Sequence, residues 1–260
     1  MGEYLDRFKL TGKRALVFGA AGGIGAAVAQ GLAEAGATLM LCDLQDGPLQ
    51  TLADRLRGAA TFRCDVGEAA QVERAVAQAA ARLGGIDVVV NLAYSATLMP
   101  IAQMTPEDFG RTLNACLTGT FHVSHFAGKQ LIEQGRGGSV VHFSSIAGMA
   151  ALGRGTGAYA AAKGGVNALV RELAIEWGPQ RIRVNAIAPC QTRTPALQRV
   201  LDDPRFGGQE SLEVKMVSKI PLGRLAEAAD MVGPVLFLAS EASAMVTGHV
   251  LLVDGGYLAQ

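Results

Sequence analysis

Short runs of apolar residues recur along the chain and alternate with longer stretches in which apolar residues return every three or four positions. Arg14–Gly19 (RALVFG) is the first run, and Gly23–Ala35 follows with helical spacing. Thr38–Cys42 is apolar again and stops at Asp43. The alternation continues with a helix over Leu49–Arg57, a strand over Ala60–Val66, a helix over Gln71–Leu83 and a strand over Ile86–Asn91 (IDVVVN). A long helical stretch, Thr105–Gln134, opens on Thr-Pro-Glu, a good helix start. Strand Ser139–Ser144, helix Gly157–Trp177, strand Ile182–Ile187, helix Glu227–Ala239 and strand His249–Val253 complete the series. The apolar runs are continuous, as expected of strands covered on both faces. Seven such strands alternating with about six helices predict an α/β fold, a doubly wound parallel sheet flanked by helices.

One stretch breaks the rhythm. Thr192–Lys219 is long, charged and irregular, with apolar residues at Leu197, Phe206, Leu212 and Met216. Such a segment late in an α/β chain reads as a lid over a substrate; the alternative is an ordinary surface excursion. There is no linker-like or repeated segment, so residues 1–260 read as one domain.

Composition narrows the function. Basic and acidic residues balance at 23 each, which gives no electrostatic footprint for nucleic acid or an anionic membrane. The N-terminal MGEYLDRFKLTGKR is charged and lacks an apolar core, and no window has the roughly 18 apolar residues of a membrane span. The cysteines, Cys42, Cys64, Cys116 and Cys190, are too scattered for a zinc site or a disulfide scaffold. A cytoplasmic protein with reduced thiols is expected.

Two constellations carry chemistry. The first run leads into Gly19-Ala-Ala-Gly-Gly23-Ile-Gly25 and then a helix. Glycines there allow a tight turn and close backbone approach, and the helix start offers N–H groups to a pyrophosphate. At a first βα turn this predicts a Rossmann-type dinucleotide site. Asp43 ends the second strand, where a carboxylate can accept from both ribose hydroxyls of adenosine and repel a 2′-phosphate. No arginine adjoins it in Leu41–Asp46, so NAD is expected over NADP. An Asp that merely caps a helix is the alternative.

The other constellation is Tyr159-Ala-Ala-Ala-Lys163, whose ends share one helix face. A nearby ammonium favours the phenolate, giving a general acid/base suited to alcohol oxidation or carbonyl reduction. Upstream, Ser144-Ser145 ends a buried strand, the edge where α/β sheets place ligands.

The chain resembles the short-chain dehydrogenase/reductase family over nearly its whole length. The matching segments are GAAGGIG at 19–25, Asp43, Asp65-Val66, Asn91, Asn114, FSS at 143–145, YxxxK at 159–163, IRVNAIAP at 182–189, PLGR at 221–224 and TGHVLLVDGG at 247–256. The resemblance implies a catalytic tetrad of Asn114, Ser145, Tyr159 and Lys163. Tyr159 would exchange the alcohol proton, and Ser145 would hydrogen-bond the substrate oxygen. Lys163 would hold the nicotinamide ribose and lower the Tyr159 pKa, and Asn114 would support a water relay to Lys163. Ser145 is preferred to Ser144 for its spacing from Tyr159. Cofactor contacts are implied at Gly19, Gly23, Ile24, Gly25, Asp43, Asp65 and Val66, at Asn91 and Ala93, and at Tyr159, Lys163, Thr192 and Thr194. The implied reaction is reversible hydride transfer between NAD and a secondary alcohol or ketone, in a homotetramer.

Departures stand at Phe18, at Asn91-Leu92-Ala93-Tyr94 and at Pro189-Cys190. Phe18 and Leu92 replace polar family residues with apolar ones, exchanging a hydrogen bond for packing. Tyr94 puts a ring where the family has glycine and narrows the substrate pocket. Cys190 is expected to line the nicotinamide pocket. Arg154 is a candidate clamp for an acidic substrate, although a solvated or interface role suits it better. His122, His125, His142 and His249 have no metal-ligand grouping and read as structural. Two rival functions are an NAD(H) sensor without turnover and a non-redox isomerase or lyase on the same site.

Overall fold

In a computed structural model of the chain, residues 3–56, 58–153, 155–203 and 209–260 are described. The strands are β1 (Arg14–Phe18), β2 (Thr38–Asp43), β3 (Ala60–Arg63), β4 (Val88–Asn91), β5 (Gly138–Phe143), β6 (Ile182–Pro189), β7 (Thr192–Arg193), β8 (Ala226–Glu227) and β9 (Val250–Val253). Seven of them form one parallel sheet in the order β3-β2-β1-β4-β5-β6-β9, and β7 pairs with β8 apart from it. The order reverses between β1 and β4, which opens a crevice at the carboxyl ends of the strands.

The helices are α1 (Glu3–Asp6), α2 (Gly23–Glu34), α3 (Asp46–Arg55), α4 (Ala69–Leu83), α5 (Pro106–Leu113), α6 (Gly119–Gln134), α7 (Gly157–Trp177), α8 (Pro195–Leu201), α9 (Gln209–Val217) and α10 (Val232–Ala239). Alternate strand residues serve two cores. Ala15 and Val17 of β1 pack with Val28 and Leu32 of α2, Leu52 of α3 and Leu238 of α10. Leu16 and Phe18 pack with Val76 of α4, Val123 and Leu131 of α6, and Val170 of α7. Both faces are apolar, which is why the strands read as continuous runs.

The structure differs from the sequence reading in three places, the first being the predicted helix Glu227–Ala239, which opens as β8 and a 3₁₀ turn over Ala228–Met231 before α10. The predicted helix Thr105–Gln134 is three pieces: α5, a π-helical turn over Asn114–Thr118, and α6. Its start is as expected, with Thr105 Oγ1 accepting from Asp108 N–H at 3.1 Å. The described parts of 192–219 are regular. The segment carries β7, α8 and α9, and Leu212 and Met216 are buried in the first core. Arg193 of β7 fastens it, bonding Glu213 at 2.5 Å and Glu227 at 3.3 Å. Phe206 lies outside the described residues. Among the described residues no helix is long and apolar enough to cross a membrane.

Candidate active site

The glycine loop is glycine for steric reasons. Gly19 has φ +75°, and a Cβ on it would lie 2.6 Å from Ala93 N. A Cβ on Gly25 would lie 2.0 Å from Gly19 O. The loop therefore folds tightly against β4, and α2 starts with no side-chain cap on its first N–H groups. Ile24 is half-buried against the first core. Asp43, 8% exposed, accepts from Ala21 N–H at 2.9 Å and Gln45 N–H at 3.0 Å. Each carboxylate oxygen thus keeps a lone pair for a further donor.

The other cofactor candidates frame the same crevice. Asp65 Oδ1 accepts from Gly67 N–H at 2.9 Å, and Val66 packs where a Cβ on Gly119 would be, 2.6 Å from its Cγ2. Asn91 donates to Thr120 Oγ1 at 3.2 Å and accepts from Ala93 N–H at 3.2 Å, so Asn91 and Ala93 are fixed relative to each other. Thr194 caps α8 through Leu197 N–H and stands against the glycine loop, its Cγ2 3.2 Å from a Cβ on Gly23. Thr192 donates to Cys190 O at 3.1 Å. The sequence reading missed Arg63, which lies opposite Asp43 in the β2–β3 register and pairs with Asp46 at 3.5 Å. The signal was cross-strand and so invisible in a search along Leu41–Asp46.

Tyr159 and Lys163 converge as their spacing predicts. Lys163 Nζ lies 5.6 Å from the Tyr159 ring centroid and donates to Phe143 O at 2.6 Å. Burial pushes the Tyr159 phenol well up, with Cys116 and Tyr94 adding to the rise; a hydrogen bond with Ser145 opposes it. Burial also lowers the Lys163 ammonium. In the cofactor-free chain, burial therefore outweighs the lysine effect expected on the phenol.

Ser144 and Ser145 take different places at the end of β5. Ser144 packs at the strand end and donates to Asn167 Oδ1 at 2.5 Å. Ser145 follows β5, accepts from Ala147 N–H at 3.1 Å and reaches Tyr159. Asn167, not singled out from sequence, also donates to Gly148 O at 3.1 Å and so braces the turn that carries Ser145.

Asn114 is the exception. It is exposed, and its amide nitrogen is 2.5 Å from a Cβ on Gly67, beside Asp65. The structure sets it against Gly67 and Asp65, with no hydrogen bond to Ser145, Tyr159 or Lys163 among the described residues. Cys116, two positions on, is fully buried and its Sγ–H donates to Ser95 O at 3.3 Å.

Three comparisons bear on this site. The model of a family described as enoyl-(acyl carrier protein) reductase matches residues 19–258. The chain belongs to the short-chain dehydrogenase/reductase family. D-threitol dehydrogenase of Mycolicibacterium smegmatis is 41% identical over 254 residues, 96% of this chain and 94% of that protein. L-xylulose reductase of Bos taurus is 35% identical, covering 96% and 98%. A gluconate 5-dehydrogenase from Burkholderia cenocepacia, solved in complex with NADP and tartrate, superposes with a TM-score of 0.91 at 34% identity, covering 98% and 99%. This short-chain dehydrogenase/reductase is thus an oxidoreductase of alcohol and ketone groups that uses a nicotinamide cofactor.

The departures from the family pattern now have places. Phe18 is fully buried in the second core and Leu92 packs in the first. Tyr94 is half exposed, its ring 6.3 Å from that of Tyr159. Cys190 is 7% exposed, and burial raises its thiol. Arg154 lies outside the described residues. Among the histidines, His122 Nδ1 meets Val66 O at 2.8 Å, His125 stacks on Phe121, and His249 N–H donates to Asn185. His142 Nε2 meets Ser124 Oγ at 3.0 Å, while its Nδ1 is buried without a partner.

Proposed function

We propose that this chain is an NAD-dependent dehydrogenase/reductase of small polyols and the matching ketoses. The observation that carries the reading is the convergence of Tyr159, Lys163 and Ser145 at the end of β5, on the same carboxyl edge of the sheet that carries the glycine loop and Asp43. The substrate class follows from the threitol and xylulose relatives.

The residues present suit a dinucleotide. Gly19, Gly23, Ile24 and Gly25 leave room for the pyrophosphate, with Asp43 at the adenosine ribose and Asp65 and Val66 at the adenine. Asn91, Ala93, Thr192 and Thr194 line the way to the nicotinamide. When bound, the nicotinamide takes up or gives the hydride. Ser145 donates to the substrate oxygen and holds it at the Tyr159 hydroxyl. In reduction Tyr159 gives its proton to that oxygen; in oxidation its phenolate takes the proton away. Lys163 holds the cofactor ribose and its charge favours the phenolate. Asn114 is left out of the proton path because of its place beside Gly67. The whole chain 1–260 is read as one domain of a cytoplasmic homotetramer.

The test is a panel of short polyols and ketoses with NAD and NADH, followed at the NADH absorbance band, together with Tyr159→Phe. That variant should lose at least about a hundredfold in kcat with NADH binding kept. Near wild-type turnover would refute the role of Tyr159. NADH binding without turnover of any panel member would refute the oxidoreductase reading of this site.

A further inference from the structure

Tyr94 is a large aromatic side chain left 52% exposed beside the acid/base, on a loop that is otherwise pinned. Three contacts hold that loop. Cys116 Sγ–H donates to Ser95 O at 3.3 Å, Thr97 N–H donates to Thr112 Oγ1 at 3.3 Å, and Met99 N–H donates to Gly155 O at 2.9 Å. Gly155 is glycine for this contact, because a Cβ there would meet Met99 at 2.8 Å and φ is +69°. Cys116 comes from the π-helical turn, so its bond ties the loop directly to the helix that backs Tyr159. The Arg199 guanidinium of α8, whose Nε donates to Pro195 O at 3.3 Å, brings positive charge within reach of Tyr94.

We propose that Tyr94 is a specificity-determining residue of this hydride-transfer site, with Cys116 as its positioning residue. Tyr94 admits slim, hydroxylated carbonyl compounds and excludes aryl and branched ones. The proposal rests on the oxidoreductase reading above. The Tyr94 and Tyr159 centroids are 6.3 Å apart with the planes at 59°. Inserting a third ring between two others takes about 7–8 Å, two contacts of about 3.5–4.0 Å each. A hydroxylated carbon chain needs no such insertion, and it finds the Tyr94 hydroxyl as a partner for a remote OH group.

The test compares a short hydroxyketone, erythrulose, with an aryl ketone, acetophenone. In Tyr94→Ala the kcat/KM ratio of acetophenone to erythrulose should rise at least about tenfold, the scale of one or two methylenes in a pocket. Tyr94→Phe should keep the exclusion and raise KM for erythrulose about threefold or more, with kcat kept, through the lost hydroxyl bond. Cys116→Ala should move the ratio in the same direction by about threefold, and Cys116→Ser, which restores a donor, should return it. A ratio in Tyr94→Ala within about twofold of wild type would overturn the proposal. So would loss of NADH binding in that variant, which would place Tyr94 under the cofactor. Saturation-transfer NMR of both ketones on the NADH complex gives the same comparison without turnover. An inactive wild type therefore counts against the oxidoreductase reading while binding still decides Tyr94.

Discussion

Asp43→Asn removes the charge from a carboxylate that closes β2 at 8% exposure while keeping its shape and one acceptor oxygen. With NAD, the charged form gains hydrogen bonds to two ribose hydroxyls, each charge-assisted bond contributing about 1.5–3 kcal/mol. With NADP it faces a phosphate of about two negative charges, a repulsion of about 1 kcal/mol per charge at 4 Å in water. Arg63 works the other way, since it lies opposite Asp43 in the strand register. Its guanidinium is already paired with Asp46 at 3.5 Å, so only part of its charge reaches the ribose end. The proposed preference for NAD should then be about 3 kcal/mol, on the order of a hundredfold in kcat/KM. Asp43→Asn should cut that to about tenfold or less, because repulsion vanishes and a neutral acceptor remains. Asp46→Asn should release Arg63 and move the ratio further toward NADPH. The assay is kcat/KM for NADH and NADPH with one ketose across the three proteins. A wild type that prefers NADPH, the phosphorylated form of the cofactor in the gluconate 5-dehydrogenase structure, would show that Arg63 outweighs Asp43 and refute the reasoning.

Burial, with Lys163 adding to it, lowers the His142 imidazole to about 3, so the folded chain keeps it neutral. The unfolded chain protonates it near pH 6.5, so stability is full above that pH and falls below it, by about 2 kcal/mol at pH 5. His142→Leu should therefore show a smaller drop in Tm between pH 7 and pH 5 than wild type, and an equal drop would remove His142 as the cause. Cys190 should react with iodoacetamide at least about tenfold more slowly than a free thiol, because burial raises its pKa. NADH should slow the reaction further, and full activity after confirmed modification at Cys190 would take it out of the nicotinamide pocket. Amide exchange in α8 and α9 should slow when cofactor and substrate are both bound, since the segment already docks through Leu212 and Met216. Unchanged exchange would make 192–219 a fixed wall and not a lid.

The parallel sheet was legible because each strand meets an apolar layer on both faces, so β1 reads as one run although Val17 and Phe18 serve different cores. The glycine loop and YxxxK were legible because their spacing is local and the close approaches they need are steric. What escaped was set by neighbours distant in sequence. Arg63 reaches the Asp43 end of β2 across a strand pair. Asn114 and Cys116 are two residues apart on one helical stretch, and a helix advances about 100° per residue. They therefore face nearly opposite sides, and only the packing of α7 against the π-helical turn tells which side is the site. The residue type suggested Asn114; the geometry turns it to Gly67 and turns Cys116 inward.

That inward turn bears on how the acid/base is held. Lys163 is 2% exposed and spends a bond on Phe143 O, the last residue of β5. The same strand end delivers Ser145, so Lys163 and the Ser145 of the proposed site are both referred to the end of β5. Burial drives the phenol toward its protonated form and the ammonium toward its neutral one, and the Ser145 hydrogen bond works against the first of these. With that shift Tyr159 keeps its proton, the form its proposed role in ketone reduction would use. Oxidation needs the phenolate, and any positive charge brought into the crevice favours it, as Coulomb attraction in a poorly hydrated site is stronger than in water. Under the role proposed for Tyr159, a cationic nicotinamide would therefore favour the base and an uncharged one the acid.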